Sequence, residues 1–375
     1  MRPAMLGALL LSLLAQDVRT ATAGLGLDAL PPPAPDRVLL LTPDLALHLS
    51  AGSEWDTNAR RVTTSQGAAG GPSDGVVRIV GDLRARLPIT TRDQVTARYV
   101  IGVKRFFRED REDLFVHDLS VDGVAALTDT IDIDARGRYR ASSIRNRTRD
   151  YALTHAGAGF TWRPYERWSL SAEGAYQALD FGPTCLLSYE GPAISGSVGW
   201  RPFDRVELGA SGGFGWRIYD GRYDPTQGLL VGLCTASAGR RRDGEPYASL
   251  HATYRGTIIV GGEVVGRFSR SNDDGENIDR YRISGWVTVP LPLELVLSAS
   301  GALQFNRGIS VSQSLQAVED DENQTGIELQ LARPIAAGIE AIGRYSLYAN
   351  AFATAPDEFV RHTFYLGLSY EIGAD

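Results

Sequence analysis

The chain has 375 residues, with 45 acidic against 38 basic side chains and a formal charge of −7. Its mean hydropathy of −0.15 excludes a bundle of membrane-spanning helices, which needs several runs of roughly 20 apolar residues, while plentiful aromatic and β-branched residues exclude a disordered chain. The negative balance argues against nucleic acid as a partner, and two cysteines exclude a disulfide scaffold or a multi-cysteine metal centre. The 41 glycines suit turns and sheet better than helix interiors.

At the start, Met1 and Arg2 precede an apolar run over 4–15, and Ala21-Thr22-Ala23 supplies small residues at a cleavage position. This predicts a signal peptide over 1–23, removed on export. Residues 24–43 follow as a linker on the periplasmic side, with Pro31, Pro32, Pro33, Pro35 and Pro43 blocking helix and sheet alike.

From residue 44 onward the period is two. Leu45, Leu47, Leu49 and Ala51 alternate with His48, Ser50 and Glu54. Val77, Ile79, Leu83 and Leu87 alternate with Arg78, Asp82, Arg84 and Arg86, and Val95, Ala97, Tyr99 and Ile101 with Gln94, Thr96 and Arg98. Between 129 and 140, Ile131, Ile133, Ala135, Gly137 and Tyr139 alternate with Asp132, Asp134, Arg136, Arg138 and Arg140. A strand sends successive side chains to opposite faces, so each segment has a greasy face and an ionic one. These stretches run longer than the 5–6 residues usual in soluble sheets and match a tilted strand that crosses a bilayer.

Sixteen such stretches fall at 44–56, 75–87, 93–104, 114–127, 129–141, 151–163, 166–178, 190–201, 204–217, 246–255, 257–269, 279–290, 292–306, 324–332, 335–349 and 358–372. Short and long gaps alternate between them. Tight turns at one rim and long loops at the other predict an all-β fold, a closed antiparallel up-and-down barrel of about sixteen strands, or eighteen if 218–245 holds another hairpin. Hydrocarbon offers no partner for an unpaired sheet edge, so the strands must close on themselves. The barrel is expected over 44–375, in the outer membrane, with both termini periplasmic. A barrel this wide keeps an aqueous lumen unless plugged, and Arg78, Asp82, Arg84, Arg98, Asp132, Asp134, Arg136 and Arg138 are expected to line it.

Two turns share a local repeat: Trp162-Arg163-Pro164-Tyr165-Glu166-Arg167 is echoed by Trp200-Arg201-Pro202-Phe203-Asp204-Arg205. Proline cannot donate to a sheet ladder and belongs at the turn, which sets the neighbouring aromatics at headgroup level as a girdle. In the last segment, Gly367, Tyr370 and Ile372 fit x-x-Gly-x-x-aromatic-x-apolar, similar to the C-terminal signal read by barrel-insertion machinery, although three residues follow Ile372.

Little in the sequence points to catalysis, and no enzyme activity or cofactor is expected. None of the five histidines sits at metal-ligand spacing; His117 beside Asp118 and His155 near Asp150 lack a nucleophile motif. Arginines at 145–149 and 240–242 could hold lipopolysaccharide phosphates, and acids at 273–276 and 319–322 could bridge lipopolysaccharide through divalent ions. Solvated loop charge is the simpler reading of the acids, and the base composition of the genome explains the arginines equally well. Cys185 and Cys234 fall in two long loops of the same rim and are expected to form a disulfide in an exported protein. Leu229, Leu230, Val231 and Leu233 make the second of those loops apolar enough for a lid or a partner-binding patch.

The segment Gly52-Ser53-Glu54-Trp55-Asp56-Thr57-Asn58-Ala59, the alternating strands and the Trp-Arg-Pro turns together resemble the porin-type outer-membrane β-barrels of Gram-negative bacteria. Some of these accompany polysaccharide export systems. The resemblance implies a channel in contact with outer-membrane lipid and lipopolysaccharide, conducting secreted polysaccharide with a periplasmic export protein. It also allows a non-conducting barrel that anchors an adhesion or motility complex. No residue role comes with it.

Overall fold

The computed structural model describes residues 43–59, 72–147, 150–182, 187–220, 240–272, 277–307, 325–350 and 359–373. The expected signal peptide, linker residues 24–42, both cysteines, the apolar segment 229–233 and the two acidic loop runs lie outside these residues. The described chain forms sixteen strands. They are β1 (Asp44–Asp56), β2 (Asp74–Pro88), β3 (Gln94–Phe106), β4 (Leu114–Ala126), β5 (Ile131–Ile144) and β6 (Tyr151–Tyr165). Next come β7 (Trp168–Phe181), β8 (Tyr189–Phe203), β9 (Val206–Tyr219), β10 (Arg242–Arg255) and β11 (Ile259–Ser271). The wall ends with β12 (Ile278–Pro290), β13 (Val296–Arg307), β14 (Thr325–Ala336), β15 (Ile339–Asn350) and β16 (Phe359–Ile372).

Each strand pairs antiparallel with its chain neighbours, and β1 pairs with β16 from Leu47↔Ile372 to Asp56↔Thr363, which closes the barrel. Connections of two to five residues join strands at one end, among them 166–167, 204–205, 291–295 and 337–338. β1 starts and β16 finishes at that same end. The connections at the opposite end are longer, as at 57–73, 220–241 and 308–324.

Register sorts every side chain to one of two faces. The outer face carries large apolar groups that stand open: Leu250 is 65 % and Leu366 71 % exposed. Aromatics crowd both edges of this band. Trp162, Tyr165, Trp168, Trp200 and Phe203 gather at the short-turn end, where Trp168 stacks on Trp200 with ring centroids 5.7 Å apart. Trp55, Phe107, Trp216, Tyr281 and Phe305 are exposed toward the long-loop end. The inner face is polar and buried, with Asp56 at 0 %. Among the described residues, buried apolar side chains pack in two small clusters, Leu179–Tyr189–Tyr219 with Tyr151 and Leu153, and Ala332–Ile342–Tyr365.

Each expected segment overlaps one strand, and the departures have local causes. The sequence pattern starts a strand at 292, but Leu293 and Glu294 hold φ of 64° and 61°, and the Leu291 N–H bonds the Leu295 carbonyl at 2.7 Å. Left-handed backbone at two successive residues is a primed hairpin turn, so β13 begins only at Val296. Pro164 and Pro202 sit in register shifts within β6 and β8 rather than in the turns, which fall two residues later. Pro192 and Pro246 lie inside strands; pairing is continuous on one side of each and interrupted on the other, toward β9 and β11 respectively. The missing N–H therefore costs one ladder bond, not the strand.

Candidate functional site

The inner wall divides into two arcs. On the first, from β14 through β16 and β1 to β7, inward charges meet inward charges, as Arg344 meets Glu328 at 3.6 Å. Arg98 grips Asp82 with Nε at 2.8 Å and Nη2 at 2.5 Å, and Arg138 grips Asp118 at 2.9 and 2.5 Å. Arg136 reaches Asp134 and Glu173, both at 3.3 Å, and Arg163 bonds Asp132. Near the closing seam, Arg361 Nε lies 2.8 Å from Asp56, Lys104 3.3 Å and Arg78 3.8 Å from Glu54. The eight side chains expected to line the lumen all stand on this inward register. All but Arg84 belong to the pairs just named, and Arg84 is engaged as well. Their charge is thus largely neutralised within the wall. A diagonal cross-strand ion pair of this kind fastens neighbouring strands.

The second arc, from β8 to β13, carries ion pairs toward its two ends, Arg217–Glu245 at 3.0 Å and Arg241–Asp243 by the long loops and Arg255–Glu207 at 3.5 Å by the short turns, and between them serine and glycine recur. Ser171 and Ser197 hydroxyls meet at 2.7 Å, Ser211 and Ser249 at 2.8 Å. Glycines recur on the inward face, and rings occupy the space their side chains leave: Tyr247 against Gly213, His251 against Gly209 and Trp286 against Gly261. A Cβ at any of these glycines would collide with the ring, so glycine here is a seat for the aromatic. Two inward rows run across adjacent strands. One is Gly209–His251–Glu263–Ser284, and the next, nearer the short turns, is Thr253–Gly261–Trp286–Ser300. Sequence reasoning passed over His251, Glu263 and Trp286, each a single residue on a separate strand. Register alone brings them together.

At the long-loop end of this arc, Tyr189 and Tyr219 lie 5.4 Å apart, with Arg217 over one ring at 4.3 Å and Arg241 over the other at 4.2 Å. Arg241 also bonds Asp243 and is buried, so it is withdrawn from the exposed arginine cluster expected at 240–242. Arg242 faces outward and is exposed.

His117 and His155 stand on opposite faces of the wall. His117 faces outward, its Nδ1 2.5 Å from the Tyr99 hydroxyl and its ring edge-on to Phe115, while Asp118 faces inward to Arg138. His155 faces inward, 3.6 Å from Glu173. Among the described residues no three His, Cys, Asp or Glu side chains are placed to hold a metal ion. Of the C-terminal motif, Tyr370 and Ile372 point outward and exposed, while Gly367 faces inward, where a Cβ would meet the Tyr365 ring and the Ala51 carbonyl.

No family model matches the chain, and neither does any curated protein. Among solved structures it is similar to a loop L8 deletion mutant of OmpT, an outer membrane protein of Vibrio cholerae, at 10 % identity and a TM-score of 0.48, covering 88 % of this chain and 99 % of that one. It is also similar to a bacterial polysaccharide outer membrane secretin (11 %, TM-score 0.43, covering 88 % and 98 %) and to OccAB3 of Acinetobacter baumannii (10 %, TM-score 0.44, covering 88 % and 99 %). At these scores the likenesses assign no function here.

Proposed function

We propose that this chain is a porin-like channel of the outer membrane, with its termini on the periplasmic side, and that its interior conducts a secreted polysaccharide. The observation that carries the membrane reading is the contrast between the two faces. Water would not tolerate a continuous outer band of exposed leucine, isoleucine and valine, and lipid would not tolerate the inner one. A one-residue register slip would turn Arg136 and Arg138 to hydrocarbon, at about 2–4 kcal/mol for each midplane arginine. The two aromatic edges supply the headgroup belts such a barrel needs.

Three features support the finer reading. The first strand starts and the last strand finishes at the short-turn end, which suits a periplasmic linker that meets an export protein. The inner wall is rich in hydroxyls, which suit a hydrated, hydrogen-bonding polymer. The sequence motifs resemble those of porin-type outer-membrane barrels, some of which accompany polysaccharide export systems. In this reading transport is passive, lipopolysaccharide surrounds the long-loop end, and insertion follows recognition of β16 by the barrel-insertion machinery.

Planar-bilayer recording of the purified mature protein tests the channel, which should pass ions in discrete steps. Deletion of the gene should abolish surface polymer. Silent bilayers together with normal polymer and lost adhesion or motility would instead favour the anchoring barrel.

A further inference from the structure

His251, Glu263 and Trp286 each present a polar group on the inward face. Among the described residues none of the three side chains makes a hydrogen bond or ion pair, and none is fully buried. They occupy two adjacent inward rows, His251 directly across from Glu263, and Trp286 across from Gly261, two residues before Glu263 on β11. Adjacent rows lie about 7 Å apart along a strand, a span that one pyranose ring with its hydroxyls fills. The site is near the short turns: Thr253, in the Trp286 row, is two residues from the end of β10.

The chemistry is that of sugar recognition. A carbohydrate ring presents apolar C–H faces and a rim of hydroxyls. Trp286 and His251 offer rings, the indole N–H is a donor, and the Glu263 carboxylate accepts two or more hydroxyl protons through strong charge-assisted bonds. Gly209 and Gly261 seat the rings against the wall without narrowing the bore. Ser284 and Ser300 hydroxyls lie next to them in the same rows. The carboxylate disfavours a polyanion.

We propose that Trp286, His251 and Glu263 form a subsite for a neutral sugar unit, the first wall contact of a polymer entering from the short-turn side. This rests on the conduit reading and names the substrate class for it. Titration of the detergent-solubilised mature protein with cellohexaose and maltohexaose, followed by calorimetry, tests the subsite directly. One of the two should bind, and Glu263→Gln and Trp286→Ala should each weaken it about tenfold. Trp286→Phe, which keeps a ring on Gly261, should recover part of the loss. Unchanged heat-modifiable mobility on gels checks that each variant is folded. Absence of binding by either sugar, or binding equal in folded Glu263→Gln and wild type, overturns the subsite. Bilayer conductance of the same preparations reads the channel separately. A conducting barrel that binds neither sugar leaves the channel without the subsite, and a silent barrel that binds sugar leaves the subsite without the channel.

Discussion

The two arcs of the inner wall handle polarity in opposite ways. From β14 through β16 and β1 to β7, arginine and carboxylate satisfy each other across strands, as Arg98 with Asp82 and Arg361 with Asp56. From β8 to β13, ion pairs keep to the two ends, serine and glycine lower the wall between them, rings fill the hollows, and the Glu263 side chain has no partner among the described residues. The difference teaches that charge density is a poor guide to where a wall acts on its contents. The densest charge, the part most visible in the sequence, is spent on holding strands together. The sparser arc is the one that sets the Glu263 carboxylate beside rings seated on glycine.

If the charged arc is structural, breaking it should be costly. Asp56→Ala strands Arg361 in a buried position and should destabilise the barrel by about 3–5 kcal/mol, read by urea unfolding in detergent. Ser211→Ala in the other arc should cost under about 1.5 kcal/mol, since it removes one neutral hydrogen bond. Comparable losses at the two positions would erase the distinction.

Arg98→Ala should cost about 2–3 kcal/mol, the loss of a charge-assisted pair. Exchanging the partners, Asp82→Arg with Arg98→Asp, should restore most of that stability and leave ion selectivity unchanged in reversal-potential measurements. Glu263→Arg on the opposite arc should shift the same reversal potential toward anions with little change in stability. A swap that alters selectivity as strongly as Glu263→Arg would return functional weight to the paired charges.

The turns beneath the arcs differ too. Below β12 and β13, Leu293 and Glu294 hold left-handed backbone that favours Asn and Gly. The double substitution Leu293→Asn, Glu294→Gly should therefore stabilise the protein, by about 1–2 kcal/mol in the same unfolding assay. Loss of stability instead would mean that the exposed Leu293 side chain contributes more than the backbone strain costs.

Below β2 and β3, Asp93 accepts bonds from the Ala126 N–H and the Thr90 hydroxyl, both at 2.8 Å, and these hold its carboxyl below the usual carboxylate range. Its folded pKa is depressed, so its stabilising contribution is present above the unfolded value, near 3.9, and fades as pH falls through the folded one. The site is solvent-exposed, which makes this the smallest effect. Asp93→Asn should flatten the acid limb of the stability curve between about pH 4 and pH 2 and change little at neutral pH. An identical acid limb in wild type and variant would remove Asp93 from the account.

Much of the fold was legible because a barrel wall obeys one rule. Alternation of Ile131, Ile133 and Ala135 with Asp132, Asp134 and Arg136 gives a strand, its length and its two faces without reference to any neighbour. The turn at 291–295 was not legible, since Leu293 and Glu294 are ordinary strand residues that the hairpin forces into a left-handed conformation. Pro164 and Pro202 read as turn residues because a bulge, which depends on the partner strand, is invisible in one chain segment. The candidate subsite was hidden for the same reason. His251, Glu263 and Trp286 are 12 and 23 residues apart along the chain, and only the register of β10, β11 and β12 shows that glycines seat the rings. A lone inward aromatic directly across from a glycine is the signal that could have found them, once the pairing was known.

The account rests most heavily on which face of the strands meets lipid. Nitroxide labels placed singly at 132 through 139 of β5, with Cys185 and Cys234 replaced by serine, report this in reconstituted vesicles. Collision with dissolved oxygen should peak at 133, 135, 137 and 139, and collision with a water-soluble nickel chelate at 132, 134, 136 and 138. Equal chelate access on both faces, or a reversed phase, would contradict a barrel that is greasy outside and wet within.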